Sequence, residues 1–126
     1  AVTRVRALFD ALGTTHLLAE DLFDAATAVA GSGPAYLFLL VEALRDAGAA
    51  LGLDPAAALA MAATTMEGAA RLLAGGAEDP AALRAAVTSP AGTTAAAIAV
   101  LEDAGLRDAV LAALRAAVAR AAELGA

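Results

Sequence analysis

The chain contains no cysteine, which removes disulfides, thiolate metal sites and thiol nucleophiles together and fits a cytoplasmic location. Lysine, asparagine, glutamine and tryptophan are also missing, so apart from His16 every basic side chain is an arginine. One histidine cannot build a metal site by itself, and it nearly closes the Ser/His/Asp route to nucleophilic catalysis. Positive charge is scarce: eight scattered arginines against a net charge of −6 give no basic stripe and argue against a nucleic-acid partner. Long uninterrupted apolar runs are missing too. The longest uncharged stretches, 25–41 and 85–101, fall short of the roughly 18–20 residues of a membrane span and are broken by Gly31-Ser32-Gly33-Pro34 and Ser89-Pro90-Ala91-Gly92. No membrane partner is therefore expected, and no signal peptide is read in the first residues.

What is present is alanine, a third of the 126 residues. Alanine is the strongest helix former, and its small side chain lets helices approach closely. The expected fold is all-α, a bundle of about six helices. The excess of apolar residues predicts a large subunit interface or a helix buried nearly all round. Residues 2–12 read as a helix ended by Gly13, and 16–20 as a candidate short strand. A helix over 21–30 should stop at a sharp break formed by Gly31-Ser32-Gly33-Pro34. Pro34 then opens a helix to about Leu51, with Leu37, Leu40, Val41 and Leu44 at helical spacing and Phe38 and Leu39 on a second side. Asp54-Pro55 and Asp79-Pro80 each pair an N-cap with a first-turn proline, opening helices to about Ala74 and over 80–87. Further helices are expected over 94–104 and 106–124.

Among motifs, Gly31-Ser32-Gly33 invites comparison with the dinucleotide turn G-x-G-x-x-G, but Tyr36 stands where the third glycine belongs. Glu67 and Arg71, four apart, read as a helix ion pair. Glu102 and Asp103 read as solvated. The stretch from Val87 to Thr94 stands out as a polar, breaker-rich turn between alanine-rich helices. Thr93 and Thr94 are candidate caps for the helix after it, and a helix start there offers free N–H groups to a small anion.

Two segments carry a family resemblance. Ala30-Gly31-Ser32-Gly33-Pro34-Ala35-Tyr36 resembles the SGSGPAY segment of pyrroline-5-carboxylate reductases, with alanine replacing the first serine. Pro80 to Glu102 resembles that family's signature around V-[ST]-S-P-G-G-T-T, with Ala91 in place of a glycine. The substitution matters because glycine reaches positive φ and alanine does not easily.

The resemblance implies reduction of 1-pyrroline-5-carboxylate to L-proline with NAD(P)H, in proline biosynthesis. It implies an N-terminal Rossmann domain and a helical domain that forms an intertwined homodimer, with decamers built from dimers. It implies a substrate carboxylate held at the turn by Val87, Ser89, Pro90, Ala91, Gly92, Thr93 and Thr94, with Thr94 nearest the ring nitrogen as the catalytic candidate. On this reading residues 1–20 are the tail of the dinucleotide domain and 21–126 the dimerisation and substrate-side domain. No cofactor or metal is expected on this chain, and alone it should be inactive. The other expectation is a stand-alone helical homo-oligomerisation module with no ligand.

Overall fold

Asp54 and Asp79 begin helices as their sequence predicts. Each has extended backbone, and each carboxylate accepts a helix-start N–H at 3.0 Å, from Ala57 and Ala81 respectively. The computed structural model describes residues 2–76 and 78–125. Its helices are α1 (Val2–Phe9), α2 (Phe23–Ala26), α3 (Gly33–Ala50), α4 (Pro55–Ala74), α5 (Pro80–Ala86), α6 (Thr93–Asp103) and α7 (Leu106–Gly125). The fold is all-α.

α3, α4 and α6 each end at or just before a glycine. α3 closes with the N–H of Leu53 on the carbonyl of Gly48 and the N–H of Gly52 on that of Ala49, each 3.0 Å, around Gly52 at φ +99°. This is a Schellman closure, and the left-handed residue it requires is glycine.

Three expectations need correction. The candidate strand at 16–20 is absent: residues 14–19 form no regular element, and no strand among the described residues is there to pair with them. α1 stops at Phe9 rather than reaching Leu12.

The break at Gly31-Ser32-Gly33-Pro34 is also not a break. A 3₁₀ turn (Glu20–Leu22), α2, a π-turn (Thr27–Gly31) and α3 run on as one helix from Glu20 to Ala50. In the π-turn the N–H of Ser32 donates to the carbonyl of Thr27 at 2.9 Å, five residues back. Proline lacks an N–H and crowds the carbonyl four residues before it. The widened turn shifts the hydrogen-bond ladder just ahead of Pro34, so the helix continues. The resulting helix is long and apolar enough to cross a membrane, with a mean hydropathy of 1.4.

Packing within one chain is sparse. α3 and α4 fold back on each other as a hairpin, and α2 with the π-turn rests on α7. At the hairpin the backbone of Gly48 faces Ala58, where a β-carbon on Gly48 would sit 3.1 Å from that of Ala58. The buried apolar residues are Ala28, Ala58 and Ala62, and no large side chain among the described residues is fully buried. Leu37, Phe38, Leu39, Leu40 and Leu44 of α3 all lie open. The chain exposes 9773 Å² for 12.2 kDa. A folded monomer of that mass exposes about 6,100 Å², roughly 3,700 Å² less. The helix expected to be buried all round is covered on one side only, and among the described residues nothing covers the rest.

Candidate functional site

The turn between α5 and α6 is built by its residue types. Val87 closes α5 and is exposed. The hydroxyl of Thr88 donates to the carbonyl of Arg84 at 2.6 Å, and its N–H donates to Ala85 at 3.1 Å, finishing the helix. Ser89 to Gly92 then form a β-turn closed by the N–H of Gly92 on the carbonyl of Ser89 at 3.0 Å. Pro90 takes the second position, and Ala91, in the third, has φ +56°. Proline followed by a left-handed residue is the type II pattern, which favours glycine at the third position. Ala91 is the one described non-glycine residue with positive φ.

Replacing Ala91 with glycine should therefore stabilise the chain by about 0.5–1 kcal/mol, strain relief minus glycine's extra freedom when unfolded. The denaturant midpoint should rise with the slope unchanged, and a lower midpoint would contradict the strained turn.

The expected threonine caps are a further correction. Gly92 is the N-cap of α6, with extended backbone, and no side chain caps this helix. Thr93 and Thr94 are its first two residues, Thr93 exposed and Thr94 half-buried. The first backbone bond of α6 runs from the N–H of Ala96 to the carbonyl of Gly92 at 3.2 Å. The N–H groups of Thr93, Thr94 and Ala95 thus have no backbone acceptor among the described residues. A side-chain cap would have consumed one of them. All three remain turned out at the positive end of the helix dipole, where a carboxylate is favoured. The turn brings Ser89 to Thr94 together; Val87 stands apart at the end of α5.

Gly31 to Gly33 lie inside a helix rather than in a strand-to-helix loop, so they form no pyrophosphate cradle. This segment does not fit a dinucleotide's pyrophosphate. The Glu67–Arg71 pair forms at 2.6 Å on exposed α4.

Glu102 is solvent-exposed, as expected, and it is also paired: Arg107 reaches both of its oxygens, with Nε 2.8 Å from Oε2 and Nη2 2.7 Å from Oε1. Nη1 of Arg84 reaches Oε1 at 3.4 Å from across the turn. Hydrogen bonding from Arg107, with the charges of Arg107 and Arg84 adding, holds the Glu102 carboxyl below the ordinary glutamate range. A search for helical spacing misses this link, because Arg107 follows Glu102 by five residues across Gly105 and Arg84 precedes it by eighteen.

Known proteins share this chain's sequence and shape. The family model for pyrroline-5-carboxylate reductase dimerisation matches residues 20–124. A pyrroline-5-carboxylate reductase of Synechocystis is 46% identical over 124 residues, covering 98% of this chain and 46% of that protein. One from Mycobacterium tuberculosis is 50% identical, covering 95% of this chain and 46% of its own. The structure of a pyrroline-5-carboxylate reductase from Coxiella burnetii superposes with a TM-score of 0.91 at 41% identity, covering 97% of this chain and 46% of that one. A Plasmodium falciparum pyrroline carboxylate reductase with NADP bound gives a TM-score of 0.86 at 30% identity, covering 98% of this chain and 47% of its own. The chain thus spans just under half the length of these relatives. With the helical fold, the turn and a family match over most of its length, the chain belongs to the pyrroline-5-carboxylate reductase dimerisation family.

Proposed function

We propose that this chain is the dimerisation and substrate-side domain of a cytoplasmic pyrroline-5-carboxylate reductase, which reduces 1-pyrroline-5-carboxylate to L-proline. The observation that carries the reading is the set of three acceptor-free N–H groups on Thr93, Thr94 and Ala95, directly behind the strained turn at Ala91. We read them as a cradle for one carboxylate. Ser89, Pro90 and Ala91 shape the turn, Gly92 lets it close, and Val87 joins it to α5. We assign the hydrogen bond to the ring nitrogen to Thr94, which is half-buried at the second position of α6. The chemistry here is positioning and charge stabilisation of a small imino acid.

On this reading NAD(P)H is bound by a dinucleotide domain of the whole enzyme, a reading supported by the NADP held in the Plasmodium falciparum relative, of which this chain covers 47%. The division at residues 20 and 21 is supported by the family match, which begins at residue 20. The open apolar faces of α3 and α7 are the dimer surface, and dimers assemble further into decamers. On this reading the apolar character of the long Glu20–Ala50 helix serves that partner.

Two expected results follow for the 126-residue chain. Titrating L-proline should shift the amide resonances of Gly92 to Ala95 and leave those of α4 in place. Mixing the chain with pyrroline-5-carboxylate and NADPH should oxidise no cofactor. Measurable turnover overturns the division of labour. Silent amides in a dimeric chain overturn the cradle and leave a helical oligomerisation module without a ligand.

A further inference from the structure

α5 is joined to the rest of the chain by little besides the turn that follows it. Among the described residues it packs closely on no other helix, and an open cleft of about 500 Å³ lies between it and α6 and α7, floored by Ile98, Leu101, Leu106 and Val110. Across that cleft runs the Arg84–Glu102 bridge. Arg84 therefore holds the turn twice. Its carbonyl accepts the Thr88 hydroxyl at 2.6 Å, and its guanidinium reaches the far end of α6. Glu102 is in turn fixed by the two-pronged contact of Arg107, at the start of α7. Arginine's planar fork favours this two-point geometry.

We propose that Glu102, bridged to Arg84 and Arg107, is a positioning residue that sets the angle between α5 and α6, and so the aim of the N–H groups of Thr93, Thr94 and Ala95. The inference rests on reading that turn as the carboxylate cradle. Glu102 touches no substrate. It acts by keeping the two ends of the Thr88–Gly92 segment at a fixed separation. The bridge is solvent-exposed, with Arg84 at 45% and Glu102 at 39%, so its part in global stability is small. Its effect is local, on a segment that has few other restraints.

The test compares the chain with its Glu102→Gln, Arg84→Ala and Glu67→Gln variants, by amide hydrogen exchange without ligand and by L-proline titration. Glu102→Gln keeps the shape of the side chain and removes its charge. It should speed exchange at Thr88 and Gly92 about fivefold, on the scale of a well-formed exposed ion pair, and leave the thermal midpoint and α4 unchanged. Arg84→Ala should do the same, and the double variant should add little, because both remove one link. Arg84→Lys, which keeps the charge, should restore part of the protection. Glu67→Gln, which breaks the exposed pair on α4, should leave the turn alone. Proline should bind the Glu102→Gln variant several-fold more weakly than the parent chain. Unchanged exchange at Thr88 and Gly92 overturns the positioning role whatever proline does. Altered exchange in a parent chain that never binds proline overturns the cradle reading, and with it the functional half of this inference.

Discussion

Leu40→Asp should abolish the dimer and leave the chain without a cooperative thermal transition at micromolar concentration. Leu40 is 48% exposed in the single chain and shares an exposed helical stripe of α3 with Ala43 and Ala47. A buried leucine stabilises by about 1.5–3 kcal/mol, and a two-fold interface holds it twice. Placing an unpaired carboxylate in that interface costs several kcal/mol more. The total is comparable to the whole stability of a small domain, about 5–15 kcal/mol. A neutral change on the exposed face of α4, Glu67→Gln, should cost well under 1 kcal/mol, because it removes only a solvent-exposed ion pair. Circular dichroism melts together with sedimentation separate the two. A Leu40→Asp chain that melts like the parent chain would show that this face is free in solution.

The second large effect is expected at Gly92. Its φ is −81°, which any residue can adopt, so the demand for glycine is one of space. A β-carbon there would collide with the Ser89 hydroxyl and lie 3.1 Å from the Ser89 carbonyl oxygen. The hydroxyl can rotate away; the carbonyl cannot, since it accepts the N–H of Gly92 that closes the turn. Gly92→Ala should therefore open the turn, cost about 1–3 kcal/mol, and weaken proline binding by more than about tenfold. Adding Ser89→Ala should recover only part of the loss, because the backbone contact persists. Full recovery in the double variant would place the restriction on the side chain and contradict the tight backbone approach. Isothermal titration with L-proline reads the outcome directly.

The local punctuation of this fold was legible in its sequence. Asp54-Pro55 and Asp79-Pro80 announced helix starts because a carboxylate cap and a pre-set φ act within three residues. Gly52 marked a helix end because only the left-handed closure satisfies the last carbonyls. The replacement of glycine by Ala91 pointed to a position of positive φ, and φ is positive there. What stayed hidden depended on longer range. Gly31, Ser32, Gly33 and Pro34 each weaken a helix, yet the i+5 bonding of the π-turn and the 18-residue α3 after it carry the chain through. The Thr93 and Thr94 signals were shifted by one: Gly92 takes the cap, and the threonines fall inside the helix.

The candidate site could be read as a turn segment but not in its mechanics. Residues 87–94 could be picked out because breakers cluster there. The Arg84–Glu102–Arg107 link could not, because it joins three helices whose relative placement no single period encodes. The apolar side of α3 was also visible in sequence. Periodicity reports that a face avoids water and says nothing of which chain covers it. Here the chain's own helices cover little: Ala28, Ala58 and Ala62 are the buried apolar residues.

That second chain is the central claim, and sedimentation velocity on the 126-residue chain over a hundredfold range of concentration, paired with melts at each concentration, tests it most directly. The expected result is a species of twice 12.2 kDa whose thermal midpoint rises with concentration, because folding and association are one process. A 12.2 kDa monomer that unfolds cooperatively at a midpoint independent of concentration would contradict it.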